Sequence, residues 1–101
     1  MKFTLVKADP GPPLKGSANQ WLIKVTDMTD QPMPADVDVT ISAIMPDHQH
    51  SWSTIPTVTK NADGTFTFDR MNMFMHGIWA VTFQAISGTT VDSATYSFFI
   101  D

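Results

Sequence analysis

The amino-acid sequence predicts an all-β protein, an immunoglobulin-like antiparallel β-sandwich of about seven strands. Three observations carry that expectation. Apolar and polar residues alternate in short runs, most plainly Val37, Val39, Ile41, Ala43 and Met45 against Asp36, Asp38, Thr40 and Ser42, which is the period of a strand with one buried face. Turn-forming clusters separate such runs at intervals near ten residues, the spacing of a sandwich. Val, Ile and Phe supply most of the bulk, with thirteen Thr and only three Leu, a balance that favours strands over helices.

Each element has its own signal. Residues 2–8 alternate as a first strand, and Asp9-Pro10-Gly11-Pro12-Pro13 ends it by withholding backbone donors. Trp21, Ile23 and Val25 oppose Gln20, Lys24 and Thr26 in a second strand from Asn19 to Thr26, with Leu22 as the exception. Asp27 to Ala35, holding Asp30, Pro32 and Pro34, is a turn-rich connection. The third strand closes its inward face at Met45, where Pro46 stops the ladder, and a loop over 47–56 follows. Thr57 to Lys60 and Thr65 to Arg70 form a hairpin around Asn61-Ala62-Asp63-Gly64, with Gly64 in the left-handed conformation. Beyond a methionine-rich stretch, Trp79, Val81, Phe83 and Ala85 line a strand, Ser87-Gly88-Thr89 turns, and Ala94, Tyr96, Phe98 and Ile100 finish the chain. The expected core is Trp21, Ile23, Val37, Val39, Ile41, Phe66, Phe68, Val81, Phe83, Tyr96 and Phe98.

A length of 101 residues fits one domain, residues 1–101, which can bury a core without disulfides. The net charge is −4, all ten acidic residues are Asp, and Lys and Arg are scattered. Nucleic acid is therefore not an expected partner, since phosphate binding needs a clustered basic face. The absence of cysteine excludes a disulfide framework, a thiolate zinc site, an iron–sulfur cluster and a Cys-ligated blue-copper centre. No apolar run approaches the roughly 18 residues of a membrane helix, and residues 1–7 are too short and too alternating for a signal peptide. Membrane contact is expected only through an anchor outside this chain. With no Cys nucleophile, no Glu and no Ser/His/Asp spacing of a nucleophile turn, an enzyme is not expected.

Chemistry concentrates in two stretches, Met45-Pro46-Asp47-His48-Gln49-His50-Ser51-Trp52 and Met71-Asn72-Met73-Phe74-Met75-His76-Gly77-Ile78-Trp79. They hold all three histidines and four of the seven methionines. Residues two apart in an extended segment face the same way, so His48 and His50 converge on one point, and Met71, Met73 and Met75 share a face. Thioethers prefer Cu(I), and imidazoles accept Cu(I), Cu(II) or zinc, so a Met/His set without Cys selects copper. Zinc ordinarily recruits Cys or a carboxylate as well. The candidate ligands are His48, His50, Met73 and His76, with Met45 and Met75 as alternates and Asp47 as a ligand or as a partner orienting an imidazole. Each has a packing explanation beside this one: Met fills core gaps, a loop His is solvated, and Trp52 and Trp79 either pack or shield the metal.

At these residues the chain resembles the FixH/YtkA-like domains of bacterial extracytoplasmic proteins. The resemblance rests on Asn19-Gln20-Trp21, Gln31-Pro32, Met45-Pro46-Asp47-His48-Gln49-His50, Asp63-Gly64-Thr65-Phe66, and Met71 to Met75 followed by Gly77-Ile78-Trp79. It covers roughly residues 16 to 100, and His76 before the Gly departs from the pattern. The resemblance implies an immunoglobulin-like sandwich on the outer, periplasmic side of the cytoplasmic membrane, often joined to an anchor. It implies a role in copper handling or oxidase assembly, and no catalysis. Two functions follow as expectations. One is a copper-binding carrier or metallochaperone that exchanges the ion with a copper-donating or copper-accepting protein. The other is an immunoglobulin-like interaction module with no metal, its Met and aromatic residues serving as core.

Overall fold

The computed structural model describes residues 1–11, 13–47, 50–52 and 55–101, and the backbone alone at Ser17 and His50. In chain order the strands are β1 Lys2–Asp9, β2 Gly16–Thr26, β3 Asp38–Met45, β4 His50–Ser51, β5 Thr57–Lys60, β6 Thr65–Met73, β7 Gly77–Ser87 and β8 Thr90–Ile100. Seven have four residues or more, the expected number, and no helix occurs among the described residues. The eighth, β4, has two residues and lies inside the stretch expected to be loop. Periodicity has no purchase on so short a strand; only its pairing with the end of β3 defines it.

The strands form two antiparallel sheets, β1-β2-β6-β5 and β4-β3-β7-β8. Lettered in sequence, that is A-B-E-D against C′-C-F-G, the immunoglobulin-like arrangement. Alternation decides which face each strand buries: β3 is exposed at Asp38, Thr40, Ser42 and Ile44 and buried at Val39, Ile41, Ala43 and Met45. Nine of the eleven expected core residues are buried; Tyr96 and Phe98 are partly buried and pack against the core. Both lie on β8, an edge strand that pairs only with β7 among the described residues. Phe83 is central, with its ring centroid 6.0 Å from Trp21, 4.9 Å from Phe68 and 5.8 Å from Tyr96. Fully burying a side chain of this size contributes about 1.5–3 kcal/mol.

One irregularity sets the positions of the methionines. On β6, Phe68 pairs with Trp21 and Met71 pairs with Asn19, so Asp69 and Arg70 together oppose Gln20. This is a β-bulge, and Arg70 takes a φ of 59° to make it. The extra residue reverses the parity: even positions Phe66 and Phe68 are inward before it, and odd positions Met71 and Met73 are inward after it. Strand β6 thus continues three residues past the expected end at Arg70 and carries two methionines into the core. Asn19, 1% exposed, fastens the start of β2 to this segment. Its amide oxygen accepts from the Leu14 N–H, and its amide nitrogen donates to the carbonyls of Leu14, Gly16 and Met71 at 2.6–3.1 Å.

The β5–β6 hairpin forms as expected, with Gly64 at φ 85°, a conformation that a Cβ would strain. The Asp63 carboxylate closes the turn by accepting from the Thr65 N–H and hydroxyl.

Candidate metal centre

The ends of β3 and β6 and the start of β7 meet at one pole of the sandwich. Ile44 near the end of β3 pairs with Ala80 on β7, Met45 pairs with His50, Met73 pairs with Gly16, and Gly77 pairs with Ile100. The chemistry-bearing stretches, some twenty residues apart in sequence, are bonded to each other here: the Trp52 indole N–H donates to the Asn72 carbonyl at 2.7 Å. The Trp52 and Trp79 rings lie 6.3 Å apart, tilted by 36°. Trp79 in turn donates its indole N–H to the Met75 carbonyl at 3.0 Å, and Phe74 meets its ring edge-on at 5.1 Å. Two indoles therefore fasten the backbone of the Met-rich stretch at Asn72 and Met75.

The candidate ligands occupy different depths. Met45 and Met73, like Met71, are wholly buried in the core. Met75 follows β6 and is partly buried, packed against the core, while His76 is exposed. His50 stands on β4 opposite Met45. His48 lies outside the described residues. Asp47 is exposed beside them. The expectation that Met71, Met73 and Met75 share a face holds for Met71 and Met73, on the inward face; Met75 lies beyond the strand end. Among the described residues no three His, Asp or Glu side chains come together as a metal-holding group. Thioether sulfur is the soft donor that the sequence concentrates at this pole.

Trp79 is buried core, as the packing explanation expects, and Trp52 is half-buried between the core and solvent. Sequence reasoning named both tryptophans but missed their hydrogen bonds to Asn72 and Met75, since backbone carbonyls as acceptors leave no sequence signal.

The carboxylates held below their ordinary range lie away from this pole. Asp27, after β2, is lowered chiefly by the Thr29 hydroxyl and then by the Gln31 and Thr29 N–H groups. Asp63 is lowered by the Thr65 hydroxyl and N–H. Asp92, at the start of β8, is lowered by its hydrogen bond to the Met1 amine. These hydrogen bonds shape turns and a strand start. A hollow of about 420 Å³ near Pro32, Met33, Lys60 and Phe66 also lies at the far pole. Its one amine, that of Lys60, is already bonded to the Ala35 and Val37 carbonyls.

No curated protein and no solved structure matches the chain significantly. The family model described as YtkA-like matches residues 1–84, which span β1 through most of β7 and include both chemistry-bearing stretches. The chain therefore belongs to the YtkA-like family.

Proposed function

We propose that this domain is a copper carrier, or metallochaperone, that holds the ion at the β3–β4 and β6–β7 pole through methionine and histidine without cysteine. The observation that carries the proposal is the Trp52–Asn72 hydrogen bond with the Trp52–Trp79 contact. Together they hold Trp52, two residues after His50, against the segment from Asn72 to Trp79. The donor set suits the cargo: neutral imidazoles bind either oxidation state and thioethers favour Cu(I). Depth then orders the donors. His76 is exposed, Met75 is partly buried, and Met45 and Met73 are wholly buried. Exposed donors such as His76 suit a carrier, because a partner's donors can replace them first.

Function outside the cytoplasmic membrane belongs to the same proposal and rests on what the family resemblance implies. Copper titration followed by native mass spectrometry, with and without a reductant, tests it. Retention of a stoichiometric ion supports the carrier. No retention in either state leaves the interaction module, which the full burial of Met45, Met71 and Met73 as packing residues favours.

A further inference from the structure

The four sheet edges are not alike. β1 carries Lys2 and Lys7 and is broken by a bulge at Val6, β5 has four residues and includes Lys60, and β4 has two residues. Short length, lysine and bulges are the devices that stop an edge from recruiting another strand. β8 has none of them. It runs eleven residues from Thr90 to Ile100, pairs with β7 without a register shift, and contains no Lys and no Pro. Its single charge, Asp92, is paired with the Met1 amine at 2.8 Å. Among the described residues β7 is the only strand it pairs with.

The backbone groups facing that free edge follow from the turn. The loop between β7 and β8 has two residues, Gly88 and Thr89, with Gly88 at φ 59°, and Ser87 pairs with Thr90. A two-residue loop closes on a hydrogen-bonded pair, and the pairs then alternate. The even residues of β8 thus bond to β7, and Val91, Ser93, Thr95, Ser97 and Phe99 turn their N–H and C=O groups to the open side. Side chains of this odd set face solvent, and its two apolar members are well exposed, Val91 at 56% and Phe99 at 63%.

We propose that β8 pairs antiparallel with β8 of a second copy of this chain, about a two-fold axis at Thr95, giving a dimer with one eight-stranded continuous sheet. Full overlap of Thr90–Ile100 with itself requires Thr95 opposite Thr95, and that register sets Val91 opposite Phe99 of the copy at both ends. The greatest backbone pairing and the apolar match therefore coincide, and Asp92 meets no like charge. The five edge-facing residues of each copy exchange about ten hydrogen bonds, the number of an ordinary protein interface. The contact strip is about 37 Å long and about 10 Å deep, roughly 370 Å² a side. That is below the roughly 800 Å² per partner of a standard interface, so the dimer is of the reversible class.

Sedimentation across a concentration series and cysteine cross-linking test this directly, because the chain has no cysteine of its own. Thr95→Cys should give a disulfide-linked dimer on mild oxidation, since paired strand positions are within bridging distance. Ser93→Cys should not, because its copy lies four residues off register, about 13 Å away. A protein that stays monomeric to about 1 mM, or a Ser93→Cys variant that cross-links as well as Thr95→Cys, overturns the pairing.

Discussion

Replacing Met73 by alanine and, separately, by leucine separates its packing role from any role as a ligand. Met73 is 0% exposed, lies in the core cluster, and sits on the segment redirected inward by the bulge at Asp69 and Arg70. Truncating a buried Met to Ala costs about 2–5 kcal/mol, out of a total stability on the order of 5–15 kcal/mol. In a domain of this size about 3 kcal/mol lowers the melting temperature by roughly 12–24 °C. Leucine conserves the volume and should cost less than about 1.5 kcal/mol. Both variants are melted metal-free, followed by circular dichroism, and Met73→Leu is then titrated with Cu(I) in competition with a chelator. The proposed site gives a well-folded Met73→Leu with weaker Cu(I) binding, because the thioether is gone while the packing remains. A loss below about 1 kcal/mol for Met73→Ala would refute the inward placement. Unchanged copper affinity in Met73→Leu would make Met73 core and nothing more.

Asn19→Ala removes the partner of one N–H and three carbonyls around Leu14, Gly16 and Met71. The bond to the Met71 carbonyl is buried, and an unpaired buried group costs about 1–3 kcal/mol, so urea unfolding should show a loss above the effect of a surface substitution; a loss within about 0.5 kcal/mol would mean that this clamp is idle. Stability should also fall in acid. Asp27, Asp63 and Asp92 have folded pKa values below their unfolded ones, so their contribution is present above about pH 4 and is lost as pH drops through the folded values. Melting temperature against pH reads this, and Asp63→Asn should flatten part of the acid limb; an acid limb identical to the parent's would assign Asp63 no share.

The fold was legible because its signals are local and periodic. The run from Val37 to Met45 announces both a strand and its buried face, and Asp63-Gly64 announces a hairpin. What stayed hidden depends on partners. A bulge is a mismatch between two strands, so nothing in Asp69-Arg70 by itself reveals that the inward parity changes there. β4 exists because the end of β3 offers His50 and Ser51 a partner, not because two residues carry a pattern. Tyr96 and Phe98, expected in the core, pack against it but are only partly buried, because their strand is an edge.

The candidate site was legible as composition and only partly as geometry. Clustering of His and Met singled out the pole at which β3 and β6 end, but depth separates Met73 from Met75, and depth follows from the bulge and from where β6 stops. The link between the stretches, Trp52 to the Asn72 carbonyl, needed the fold before it could be seen.

In the proposed carrier the histidine-bearing connection and the methionine-bearing segment hold copper together. This joint role is tested most directly by chelator competition for Cu(I) and for Cu(II), on the parent and on a variant carrying His48→Ala and His50→Ala. The expected result is copper binding by the parent in competition, with Cu(II) affinity lost in the double variant and Cu(I) affinity reduced but retained on the thioethers. Equal affinity of the double variant and the parent for both ions would contradict it and leave the loop histidines as bystanders.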